Sequence, residues 1–268
     1  MISPLYGQLS PLRVPTKAVR KVSDDADANT YLLAVESADG QELESGVITA
    51  VESFIVGCKS DGIWSAIKAS CILAGARTLN GALVPLVGTA PTNANFVSGD
   101  YNRETGLLGN GSTKHLNSNR NNNAEPQNSK HLACYISQNS TVTGNLLSSN
   151  TGVGSSLLLE IPSTTQTRCI INGSNTTGIN RSVATGFVGA SRPNGTQMIT
   201  RQSGSSITHT YSSATPLNST ISVYTRGGSI AAVSNGRYSF YSIGEAIDLA
   251  ALDTRVSTLM TALAAAIT

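Results

Sequence analysis

The chain has 268 residues, 40% of them hydrophobic, enough for one sizeable core with room for an appendage. Only 13% are charged, about half the usual share, so its polar surface has to come from Ser, Thr, Asn and Gly. A net charge of +2 gives no case for nucleic acid, and no apolar run reaches the length of a membrane span.

Residues 1–41 read as an extended N-terminal arm. The stretch "SPLYGQLSPLRVPTK" sets three prolines among apolar residues with no helical or strand period. Such an arm is expected to lie on something, for example a neighbouring subunit. Nothing basic-then-apolar follows Met1, so no export signal is visible. Acids crowd the early chain: nine of sixteen lie between Asp24 and Asp61. From Glu42 onward, Val47, Val51, Phe54, Ile55 and Cys58 keep a helical spacing. Asp61-Gly62 interrupts it, and Ile63, Trp64, Ile67 and Cys71 give a second face. The pattern predicts a helical hairpin over 42–75, within a segment that runs to Pro85.

Residues 86–248 have the texture of β structure. Asn-Gly recurs at 110–111, 172–173, 194–195 and 235–236, each able to supply the positive φ of a tight hairpin. Between them lie short runs such as "KHLACYIS", "TRCIING", "GTQMITRQ", "STISVYTR" and "GRYSFYSIG". Strands this short, with turn signals this close, predict an antiparallel sandwich or barrel. No Asp or Glu occurs between Glu160 and Glu245, whereas Arg168, Arg181, Arg192, Arg201, Arg226 and Arg237 do. The acid-rich start is expected to dock on this basic span, within the chain or between subunits.

Residues 249–268 predict a helix. Leu249, Leu252, Val256, Leu259, Leu263 and Ala266 alternate spacings of three and four. The stripe either lies against the rest of the chain or packs with symmetry mates; in the second case Leu252, Val256, Leu259 and Leu263 are the oligomer contacts. Cys58, Cys71, Cys134 and Cys169 lack CxxC spacing, which argues against zinc, and Cys58 and Cys71 read as buried thiols.

The segment "LVGTAPTNANFVSGDYNRETGLLGNGSTKHLNSNRNNNAEPQNSKHLACYIS" resembles a module of tailed-bacteriophage structural proteins, of tail-fibre or LamG/concanavalin A-like type. "GRYSFYSIGEAIDLAALDTRVSTLM" looks like its closing strand and helix, and "CKSDGIWSAIKASCILAGARTLNGALVPL" like the helical segment that precedes it. The resemblance covers roughly residues 45–262. It implies a mainly β, antiparallel jelly-roll sandwich with an N-terminal helical hairpin and a C-terminal helix. It implies a virion protein of the tail fibre or baseplate, made in the host cytoplasm, with other phage virion proteins as partners and a homo-oligomer, preferably a trimer. Two alternatives stand beside this: a lectin-like module for host surface glycan, and a capsid decoration protein. No nucleic acid, membrane insertion or cofactor is expected.

Catalysis finds little support. A glycosidase needs two carboxyl groups flanking the bond. Asp100, Glu104, Glu125 and Glu160 form no such strand-face pair, and the later strands carry no carboxylate. No G-x-S-x-G elbow is present, and "GNGST" at 109–113 reads as a turn. His115 and His131 flank a polar loop and would need to meet across strands to bind a metal. Asp100 and Glu125 are the carboxylates a calcium site would use, although Asp100 and Asn102 also suit side-chain-to-backbone turns. For a glycan or partner, the contact candidates are Tyr101, Arg103, Asn119, Arg120, Asn121, Asn122, Asn123 and Gln127. Tyr211 and Tyr224 are further stacking candidates, while Tyr135, Phe187, Phe240 and Tyr241 read as core.

Overall fold

The computed structural model describes residues 21–161, 166–173, 177–180, 185–227 and 229–267; most of the expected arm, residues 1–20, and Arg181 lie outside them. Helices α1 (Ala26–Asp39) and α2 (Ser45–Ser60) come first, then strand β1 (Ile67–Ile72) and the short helix α3 (Leu79–Ala82). Strands follow as β2 (Thr92–Ala94), β3 (Tyr101–Asn102), β4 (Gly106–Leu108), β5 (His115–Asn121), β6 (Lys130–Gln138), β7 (Gly144–Ser148) and β8 (Ser155–Ile161). The chain continues through β9 (Gln166–Gly173), β10 (Thr177–Asn180), β11 (Gly186–Arg192), β12 (Gln197–Gln202), β13 (Ser205–Thr210), β14 (Thr220–Val223) and β15 (Arg237–Gly244). Helix α4 (Leu249–Ile267) closes it.

Two antiparallel sheets stack face to face. One has the order β13-β12-β11-β6-β15-β4-β3, with β1 also on β15; the other runs β10-β9-β8-β7-β14-β5-β2. The helices cover the outer side of the first, called here the covered sheet; the second is the far sheet. One core lies between helices and covered sheet, around Phe54, Ile55, Phe187, Phe240, Leu252 and Val256. A second fills the space between sheets, around Leu116, Cys134, Leu147, Ile171, Val223 and Tyr241. Strand β6 serves both: Leu132, Cys134 and Ile136 point between the sheets and Ala133 toward the helices, the period-two alternation expected of it. The fold is the mainly β, jelly-roll-type sandwich with added helices.

The helical pair sits earlier than the periodicity predicts. Residues 26–39, expected as arm, form α1, capped by the Asp25 carboxylate on the N–H groups of Asp27 and Ala28 and ended by Gly40 at φ +69°. The second face expected around Ile63–Cys71 is strand β1. Ile67 and Ile72 join the helix-side core and Ala69 and Cys71 the inter-sheet core. A strand buried on both faces has no polar alternation, so period alone does not separate it from a buried helix.

Helix α4 begins where the Asp248 carboxylate accepts from Ala250 and Ala251 N–H groups. By length and composition α4 could cross a membrane. Here Leu252, Val256 and Leu263 are 0% exposed and Leu259 1%, in the core shared with α2 and the covered sheet. The four residues expected as oligomer contacts are therefore consumed inside the chain.

The early acids also find other partners than expected. Lys59 reaches Asp25 and Asp27 at 2.7 Å, Arg103 and Arg77 hold Glu44 at 2.7 and 3.0 Å, and Arg255 holds Asp61 at 2.7 Å. Lys59 and Arg255 lie on helices, Arg77 just before α3 and Arg103 between β3 and β4; none belongs to the basic span between Glu160 and Glu245. Of the Asn-Gly pairs, only Asn194-Gly195 joins two paired strands directly, β11 to β12. The β12–β13 hairpin turns instead at Ser203-Gly204, with φ +51° and +76°. All four cysteines are buried thiols outside any disulfide; burial pushes the Cys58 and Cys71 thiols up to about 12.

Candidate ligand site on the far sheet

Strands β5 and β14 lie side by side, with Asn117 opposite Ser222 and Leu116 opposite Val223. Leu116 and Val223 point into the inter-sheet core, so the alternation turns His115, Asn117 and Ser222 to the outer side. The chain then reverses at Tyr224, whose φ of +73° is strained for a bulky residue by about 1–2 kcal/mol. The ring compensates: it is fully buried, stacks on Tyr238 at 4.3 Å and meets Phe96 edge-on at 5.1 Å, and its hydroxyl donates to the Leu107 carbonyl.

The reversal returns residues 225–227 and 229–231 over the outer face. Gly227 N–H donates to Ser148 O at 2.9 Å, Arg226 N–H to Ala231 O at 3.2 Å, and Ala231 N–H to Thr225 Oγ1 at 3.1 Å. Asn145 on β7 anchors the loop's end through Ala231 and Ala232 carbonyls at 3.1 and 3.0 Å. A Cβ on Gly227 would lie 1.8 Å from Thr220 O and 2.5 Å from Ser149 O, so only glycine permits this approach.

Loop and strands enclose a depression of about 260 Å³ lined by His115, Asn117, Ser222, Thr225, Arg226, Ser229 and Ile230. The lining is an imidazole, an amide, hydroxyls and a guanidinium, with no carboxylate. His115 Nδ1 lies 3.1 Å from Thr113 O, leaving Nε2 as the ring's remaining polar atom. Arg226 Nε is buried without a hydrogen-bond partner, a costly state for a charged donor. No reacting pair of acid and base is assembled here; the chemistry available is reversible recognition of oxygen-rich groups.

The residues expected to make contacts are scattered. Tyr101 and Arg103 belong to the covered sheet's margin, not to the polar loop. Tyr101 donates its hydroxyl to Ala76 O at 2.7 Å, and Arg103 forks onto Glu44, which holds that carboxyl below its ordinary range. Asn119, Asn121 and Asn123 are exposed. Asn119 bonds Ala90 O and Thr92, and Asn121 bonds Asn218 and Thr220, beside the depression on the same sheet. Asn122 is 0% exposed and ties Gly154 O to Asn172, so it is structural. Arg120 pairs with buried Glu125, whose other oxygen takes the buried Lys130 ammonium. Gln127 donates to Ser213. The polar loop is thus clamped from beneath, with Asn121, Asn123, Ala124, Pro126 and Asn128 exposed along its rim.

The two metal readings weighed from the sequence are not assembled among the described residues. His115 faces outward from the far sheet. His131 is 0% exposed within the covered sheet, where its ring meets Ser242 Oγ at 2.8 Å and the Glu245 carbonyl. The thickness of the sandwich separates them. Burial pushes the His131 imidazole down to about 4. Asp100 is neutralised by Lys114 and accepts from Val97 N–H, and Glu125 by Lys130 and Arg120, so neither carboxylate is available for calcium. Asn102 Oδ1 accepts from Glu104 and Thr105 N–H groups, the turn role expected of it. Tyr224 is core, and Tyr211 is half-buried under Arg192, 5.0 Å from the guanidinium carbon.

Asn117, Ser222 and Arg226 were not singled out from the sequence. The available signals were the acid-free span around "VYTRGGS" and its two glycines after a strand-like run.

No protein-family model matches the chain, and no curated protein matches it. Among solved structures, it is similar to the binding domain of botulinum neurotoxin serotype D, at 14% identity and a TM-score of 0.49 over 72% of this chain and 51% of that one. It is also similar to mouse laminin alpha1 chain domains LG4-5, at 13% identity and 0.39 over 62% and 47%. A sialidase of Trypanosoma rangeli gives 10% identity and 0.41 over 80% and 39%. The chain spans about half or less of each of these structures. The fold assignment rests on the strand pairings above.

Proposed function

We propose that the chain is a non-enzymatic, lectin-like recognition module of a tailed-phage virion, carried in a tail fibre or baseplate and contacting host surface glycan through the far sheet. The observation that supports it is the outward depression of His115, Asn117, Ser222, Thr225 and Arg226, built by a strained reversal and a glycine that nothing else can replace. Concave sites with a few convergent polar groups are the usual form of small-ligand sites. The helices lie on the opposite side of the sandwich, which leaves this face free to meet a surface. A glycan array probed with the full chain tests the reading. Saturable binding to a defined saccharide, weakened at least ~10-fold in Asn117→Ala with an unchanged melting curve, is the expected result. No binding at high micromolar protein would overturn it.

A purely structural role in the tail, as a homo-oligomer with a trimer preferred, is the second reading. It is favoured by an apolar groove of about 580 Å³ between α2 and α4, floored by Ala50, Phe54, Leu259, Ala262 and Ala266. Light scattering decides it: a trimer supports that role, and a stable monomer at high concentration removes it.

A further inference from the structure

We infer that the far-sheet depression is selective for acidic saccharides, with a ligand carboxylate, sulfate or phosphate held by Arg226. This rests on the glycan reading above and goes further by naming the ligand class.

Most of the other described arginines are tied to partners inside the chain. Arg77 and Arg103 are paired with Glu44, Arg120 with Glu125, Arg201 with Asp253 and Arg255 with Asp61. Arg192 puts Nε on Ile171 O at 2.6 Å and lies on the Tyr211 ring, inside the fold, although one of its terminal nitrogens is also a buried donor without a partner; Arg237 reaches Gly106 O at 2.7 Å. Arg226 has no ion pair among the described residues, and its Nε is a buried donor without a partner. Guanidinium offers parallel N–H groups that match an oxyanion, and Arg226, only partly buried, lines the depression.

Its surroundings leave that charge standing. The depression has no carboxylate in its lining, and the whole span from 161 to 244 contains no Asp or Glu. Neutral sugars are commonly held by stacking on an aromatic ring, but no aromatic lines this site; Ile230, 59% exposed, is its apolar edge. A charged anchor, with Asn117, Ser222 and Ser229 for neighbouring hydroxyls, is the recognition these residues can give. The backbone that carries Arg226 is held by its own N–H on Ala231 O and by Gly227 N–H on Ser148 O.

The test is an array in which each acidic saccharide is printed beside its neutral parent: sialyllactose with lactose, and uronate-bearing, sulfated and phosphorylated oligosaccharides with their uncharged forms. The full chain is expected to bind at least one acidic member ~10-fold or more tightly than its parent. Arg226→Gln is expected to erase the difference, and Arg226→Lys to restore only part of it, since a point charge replaces the fork. Thermal melting of each variant separates misfolding from lost contact, and Asn117→Ala serves as a second variant if Arg226→Gln does not fold. Equal binding of acidic and neutral partners, or an acidic preference that survives Arg226→Gln, overturns the inference while leaving glycan recognition standing. Binding of no saccharide overturns both.

Discussion

The two outer faces of the sandwich differ in how they treat polar groups. On the covered sheet His131 is sealed between Ser242 and Glu245, Arg103 is forked onto Glu44, and Arg201 is bound to Asp253. On the far sheet, Arg226 stands without an ion pair among the described residues, beside amide and hydroxyl groups. One face spends its polar chemistry on internal order and the other keeps it for contact. Substitutions on the covered side should therefore cost stability, and those on the far side should cost binding.

The largest effect is expected at Leu252, which is 0% exposed in the helix-side core. Leu252→Ala should lose about 2–5 kcal/mol in a urea titration while leaving binding by the folded fraction intact. A loss under about 1 kcal/mol would mean that α4 is not part of the folded unit.

The next concerns pH. Burial holds the His131 ring neutral, with its value pushed down to about 4, whereas in the unfolded chain it titrates near its ordinary ~6.5. A base depressed in the folded state binds fewer protons there than when unfolded. Its contribution is complete above about 6.5 and is lost as pH falls from there through about 4, amounting to ~3 kcal/mol. Urea midpoints of wild type and His131→Gln, compared from pH 7 to 4, should converge as pH falls. Parallel curves would contradict the sealed, neutral ring.

How much of this was legible in the sequence divides along the same faces. The β texture, α4 and the alternation in β6 follow from periods that burial imposes on one face of an element. Strand β1 was hidden because both its faces are buried, and α1 because few apolar residues mark it; its signals were the Asp25 cap and the Ala28, Tyr31, Leu32 and Val35 spacing. The asparagine-rich loop drew attention by composition, yet Glu125, Lys130 and Asn122 point inward beneath it. The depression escaped notice because it joins residues about a hundred positions apart, His115 and Asn117 with Ser222 and Arg226. Nothing local in either segment announces that pairing.

On the far side, Gly227→Ala should displace the 225–231 loop, since its Cβ would meet three carbonyl oxygens within 2.8 Å. Saccharide binding should fall at least ~10-fold, with a stability loss of about 1–3 kcal/mol from overpacking. Retained binding would show that the loop does not shape the site. The smallest stability loss belongs to Arg226→Gln, which removes the orphaned donor and should be at least as stable as wild type while the acidic preference disappears.

The most direct measurement is a titration of the isotope-labelled full chain with sialyllactose, and with lactose beside it, followed by amide chemical shifts. The acidic sugar is expected to move signals from His115, Asn117, Ser222 and Arg226, to leave α2 and α4 still, and to act at lower concentration than lactose. Shifts confined to the helical layer or the 122–128 loop, or equal responses to the two sugars, would contradict it.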